Sequence, residues 1–158
     1  MIALKAGIAA VIMTLAVVGN TAAMEGDMFL WPGRGGDGDY ENGIKAARAG
    51  DWQLSLHYLN RSVGRDPQDA DALALIALSH RKLGRFDKAM RFFDAALAIE
   101  PDHRLALLHA GSAYLAGGNL MKAREHEATL TVLCPKGCPE LGALKRAIAD
   151  FKERGPGS

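Results

Sequence analysis

Apolar side chains in this sequence recur three and four positions apart, in blocks of about a dozen residues separated by short polar turns. That spacing predicts amphipathic helices, each with one apolar stripe. Residues 72–83 and 86–97 form the clearest pair of blocks, with Gly84 at the break. The block Leu105 to Leu115 is apolar nearly all round, more than packing on two neighbours requires. Near the end, Leu141, Leu144, Ile148 and Phe151 keep helical spacing between Pro139 and Arg154, and Lys145, Arg146, Asp150, Lys152 and Glu153 take the other positions. No run reads as a strand, so the pattern predicts an all-α fold.

The blocks repeat in register. Pro67, Pro101 and Pro135 stand 34 residues apart, and Gly50, Gly84 and Gly118 share the period. So do Trp52, Phe86 and Leu120, and then Ser55, Ala89 and Ala123. A fixed period of this size marks a solenoid of stacked units, none able to bury its apolar face alone. Each glycine falls just past a helix, where positive φ costs it nothing. Each proline falls between units, where its missing N–H stops a helix.

The period and its residues resemble the tetratricopeptide repeat family. The fullest copy, Ala70 to His103, carries Leu73, Ala77, Ala89, Phe93, Ala96 and Pro101 at the family's large, small, aromatic and closing positions. The next, Arg104 to Lys136, keeps Leu107, Gly111, Tyr114, Gly118, Ala123 and Pro135, but has Glu127 where the second helix usually places an aromatic. The first, Gly36 to Asp69, keeps Gly43, Gly50, Trp52, Leu59 and Pro67, with Ser55 and Ser62 in place of alanines. The resemblance implies a right-handed α-solenoid of three helix-turn-helix repeats, closed by a capping helix at 139–154. The repeat domain would run from 39 to 154, with 155–158 as a tail.

Residues 1–23 lie outside that domain. Lys5, the uncharged run Ala6 to Val18 and the small residues Gly19 to Ala23 read as a secretory signal, cut after Ala23. Export to the periplasm of a bacterium follows. The competing reading is an uncleaved anchor, since Ala6 to Met24 is just long enough to span a bilayer. Removing Lys5 balances a chain of 19 basic and 18 acidic residues, and no block of like charge suggests nucleic acid or a membrane surface.

Residues 24–38 read as a glycine-rich linker with an apolar knot, Met28 to Pro32. Its glycines lack the Gly-Lys-Ser/Thr ending of a phosphate loop. Asp37, Asp39 and Glu41 alternate as in some calcium loops, but Arg48 stands where a bidentate acid is needed. An exposed Phe29-Leu30-Trp31 run should be buried somewhere. It covers the open end of the first repeat, lies in the domain's own groove, or seats in a neighbour's and drives self-association.

Cys134 and Cys138 are the only cysteines and flank Gly137 at the junction with the capping helix. In an exported chain they predict a disulfide fixing that helix's angle. The segment is also similar to the Cys-x-x-x-Cys-Pro loop of Sco-type copper chaperones. That family uses a thioredoxin-like sheet and a distant histidine, and His126 stands roughly 12 Å along the helix from Cys134. A redox- or metal-handling role for the pair, with the repeats as docking platform, is the alternative function.

Catalytic groups are not apparent. No paired carboxylates or Ser/His/Asp set emerge, and the histidines at 57, 80, 103, 109 and 126 form no i, i+4 pair. His80 stands where Tyr114 stands one repeat later and is expected in the core with its nitrogen satisfied; His57 and His126 are expected at the surface. No cofactor or metal is called for, and the chain is expected to be a non-enzymatic module for a protein or peptide partner.

In the tetratricopeptide family the first helices line a concave groove. The resemblance places Tyr40, Ile44 and Arg48 there, then Ala74, Leu78, Arg81 and Lys82, then Leu105, Leu108, Ser112 and Leu115. Such a floor suits a peptide with hydrophobic anchors and an acidic group, two anchors contributing about 3–6 kcal/mol before ordering costs. The family's carboxylate clamp needs more groove lysines, arginines and asparagines than these three basic residues, so recognition of chaperone tails is not expected.

Overall fold

The computed structural model of the chain describes Trp31, Gly33 and residues 35–155. Within them lie seven helices and no strand: α1 (Gly38–Arg48), α2 (Trp52–Arg65), α3 (Ala70–Lys82), α4 (Phe86–Ile99), α5 (Arg104–Ala116), α6 (Leu120–Leu133) and α7 (Pro139–Arg154). The signal segment 1–23, Phe29, Leu30 and the last three residues of the tail fall outside the described residues. No described helix is long and apolar enough to cross a membrane.

The helix starts follow from side chains that satisfy otherwise orphaned N–H groups. Asp51, Asp69 and Asn119 each accept from the N–H three residues on, at 2.9, 2.9 and 3.1 Å. His103 holds the place of Asp69 one repeat later and does the same with Nδ1, at 3.2 Å from the Ala106 nitrogen. At the turns, Gly84 takes φ +72° and its repeat mates +77°, a conformation that side chains rarely adopt.

Helices pair as α1–α2, α3–α4 and α5–α6, and the pairs stack through α2 on α3 and α4 on α5. The first helices α1, α3 and α5 also touch in succession, whereas α2, α4 and α6 do not touch one another. The stack therefore curves, with the first helices on its concave side. The capping helix α7 packs on α5 and α6 as expected, burying Leu141, Leu144 and Ile148. Gly111 permits this closure: a Cβ there would lie 2.8 Å from Leu144 Cδ1.

Two apolar clusters run through the stack. One gathers Trp31, Tyr40 and Ile44 with Phe93, Ala96 and much of α3. The other joins Leu107, Leu108, Leu115 and Leu130 to α7. In the first repeat, Ser55 and Ser62 replace alanines without leaving buried hydroxyls idle. Ser55 Oγ lies 3.3 Å from Ser79 Oγ on α3, and Ser62 donates to the Asp37 carboxylate that caps α1. Asp37 and Asp39 also pair with Arg65.

Candidate functional site: the concave face

Trp31, from the segment read as a linker, lies across the concave face and is only 1% exposed. Its contacts come from both ends of the stack. On α1, Tyr40 Oη accepts from the Trp31 indole N–H at 3.1 Å, and the exposed Arg48 donates from Nη2 to the Trp31 carbonyl at 3.0 Å. On α5, the His109 imidazole stacks on the indole, with centroids 5.9 Å apart and planes 14° from parallel. His103 approaches at 6.1 Å, tilted by 43°. Of the places considered for the apolar knot, Trp31 takes the domain's own groove.

The floor beneath has a pattern set by the repeat. Positions 41, 75 and 109 are equivalent, and carry Glu41, Leu75 and His109. Leu75 is wholly buried, as the repeat requires. His109 is equally buried, and neither ring nitrogen has a hydrogen-bond partner. Burial holds its pKa well below the usual histidine value, and the positive charges of Arg81 and Lys82 push the same way. The imidazole is therefore neutral. Glu41 Oε1 is also buried without a partner, and its carboxylate lies against Gly33, where a Cβ would sit 3.1 Å from Oε2. Trp31 thus meets the polar substitution on α5, and Gly33 meets the one on α1.

His103 links this floor to α3. Its Nδ1 accepts from the Ala106 N–H, so Nε2 carries the proton and donates to Asp71 at 2.9 Å. The capping residue is thereby held in one tautomer and one orientation beside Trp31.

The residues assigned to the groove separate into three groups. Tyr40, Ile44, Ala74, Leu78 and Leu105 are buried in the cluster that includes Trp31. Leu108, 2% exposed, and Leu115 are buried in the cluster with α7. Arg48 is exposed, Ser112, Arg81 and Lys82 are half-buried, and Lys82 Nζ stands 5.7 Å from the Trp52 ring. The all-round apolarity of α5 is thus consumed by α4, α6, α7 and the tryptophan. Ser112, one turn beyond His109, and Leu115, a further turn on, edge a hollow of about 560 Å³ between α5 and α7, with Ala147, Phe151 and Arg154 opposite.

Sequence reading missed His103 and His109, and the signal for His109 was present: a histidine where the preceding repeat has leucine. The other histidines depart from expectation. His80 stacks on Phe92 at 5.5 Å and its buried Nδ1 has no partner, so aromatic contact replaces the expected hydrogen bond. His126, expected at the surface, is half-buried and stacks on Tyr114 at 5.6 Å. These pairs are repeat equivalents with ring and imidazole exchanged. His57 is exposed.

Cys134 ends α6 and Cys138 opens α7, with Cα atoms 5.7 Å apart, within the span of a disulfide. Among the described residues no group of three or more histidine, cysteine or acidic side chains is arranged to hold a metal.

Comparison with known proteins matches this geometry. Two models described as tetratricopeptide repeat fit residues 40–102 and 80–148, together most of the described chain. An uncharacterized protein of Methanocaldococcus jannaschii is 34% identical over 61 residues, 39% of this chain and 71% of that one. The TPR2B domain of yeast Sti1, in complex with pHsp70, superposes with TM-score 0.68 at 16% identity, covering 74% of this chain and 95% of that one. The Yersinia enterocolitica type III secretion translocator chaperone SycD gives 0.65 at 13% identity, covering 73% and 82%. The chain belongs to the tetratricopeptide repeat family.

Proposed function

We propose that the chain is an exported protein–protein interaction module, an adaptor or assembly factor of the periplasm, that receives a peptide segment on its concave face. One observation carries this reading. The face holds one residue of the chain's own, Trp31, and engages its ring, its N–H and its main-chain carbonyl separately. Ring, donor and backbone acceptor are the features by which a groove recognises an extended segment. The Sti1 domain was solved with an Hsp70 partner, which supports the same use of the fold. Export rests on the character of residues 1–23.

A photocrosslinking residue at Ser112, one turn from His109, compared with one at Val132 on the outer helix α6, tests the reading. Val132 is 80% exposed, so it reports chance encounters. In periplasmic extract, a discrete adduct from position 112 and none from 132 is expected. Adducts from 132 alone would contradict it.

The alternative use of Cys134 and Cys138 in redox or metal handling is weaker. The pair joins the ends of α6 and α7, where a disulfide braces the capping helix, and no third ligand stands beside it among the described residues.

A further inference from the structure

We infer that Trp31 is an intramolecular ligand: the concave face carries a slot for a tryptophan, filled in cis, and a partner enters by presenting a tryptophan of its own. The inference rests on the concave-face reading above and names the chemistry of its ligand.

Three features make the slot specific for an indole. Its wall is the flat face of a neutral, fully buried imidazole that hydrogen-bonds to nothing and offers only its π-surface. Its far end is the Tyr40 hydroxyl, an acceptor placed for a ring N–H that phenylalanine lacks. Its rim is Arg48, which grips a main-chain carbonyl and so accepts any sequence around the ring. The walls come from α1 and α5, the outermost of the first helices, so a ring that fills the slot also bridges the solenoid.

The occupant is tethered a few residues before α1, since only residues 32–37 separate Trp31 from Gly38. A short tether gives the resident ring an effective concentration of the order of millimolar. A free peptide at micromolar concentration therefore competes poorly until the resident ring is removed. Trp31 acts as a gate, admitting only partners whose own tryptophan, with further contacts such as the hollow beside Ser112, outweighs it.

The test uses a labelled peptide of residues 27–36 of this chain and the same peptide with Trp31→Ala, titrated by fluorescence anisotropy into the protein and its Trp31→Ala variant. The tryptophan peptide should bind the variant at least ~10-fold more tightly than the wild type. The alanine peptide should bind neither. Equal affinity of the tryptophan peptide for both proteins, or no binding to a variant with wild-type helical content, overturns the inference. Trp31→Phe guards against loss of fold: it keeps a ring on His109, loses the N–H and part of the ring area, and should bind the peptide more tightly than wild type. An affinity equal to that of wild type overturns the inference as well. If these fail while position 112 still yields its adduct, the concave-face reading stands and only the tryptophan gate is lost.

Discussion

The indole of Trp31 lies flat on the imidazole of His109, 5.9 Å from centroid to centroid, and joins the segment before α1 to the middle of α5. This contact gives the buried histidine a neighbour that demands no hydrogen bond. It also makes the stability of the stack depend on a residue outside its helices.

Truncating Trp31 should therefore be felt globally. Trp31→Ala removes a wholly buried ring, which in a sealed core costs about 3–5 kcal/mol. Here the freed segment can swing away and admit water, so a loss of about 2 kcal/mol in urea unfolding is expected. A loss within error of zero would show that the ring does not pack as described.

Acid should destabilise the fold in a window set by histidines. The folded-state pKa of His109 is depressed by burial, then by Arg81 and Lys82, so below about pH 6.5 the unfolded chain takes up a proton that the folded chain refuses. Stability should be level above that pH and fall below it, by at most ~1.4 kcal/mol per pH unit from this group. His80 and His126, both lowered chiefly by burial, act in the same direction. His109→Leu, which restores the residue of the preceding repeat, should flatten the fall. The Asp37 carboxyl, lowered chiefly by the Ser62 hydroxyl, loses its contribution only below the ordinary carboxylate range, so the two windows separate in a pH series of thermal melts.

Closure of the stack depends on the hydrogen at Gly111. Gly111→Ala forces its Cβ to 2.8 Å from Leu144 Cδ1, on a side chain with no exposed surface, and should cost about 1–3 kcal/mol. Hydrogen exchange should show α7 loosening first. An unchanged melting temperature would contradict the close approach.

The cysteine pair should contribute locally. The proposed disulfide would close a loop too short to restrict the unfolded chain much, so a loss of no more than about 2 kcal/mol is expected from Cys134→Ser with Cys138→Ser. It should appear as faster exchange at the start of α7, with peptide binding unchanged. Loss of binding would move attention from the concave face to this loop.

The architecture was legible because the repeat writes each constraint three times: the turn glycines, the closing prolines and the small residues at the crossings fall 34 apart. Relations between different repeats were not written that way. Ser55 and Ser62 read as degeneracy, yet each finds a hydroxyl or carboxylate across the stack, and only the fold brings those partners close. On α5 the apolarity runs all round, so no stripe told which leucines face the groove, and Leu108 and Leu115 go to α7 instead. The Trp31 knot was visible as a residue needing burial, but its destination depended on a histidine 78 positions later.

The most direct test is acrylamide quenching of Trp31 fluorescence in a Trp52→Phe background, which leaves one tryptophan. A ring seated between Tyr40 and His109 should emit as a buried indole, resist the quencher, and become accessible when a partner takes the slot. Emission and quenching of a fully solvated indole in the unbound protein would contradict the claim that the chain fills its own groove.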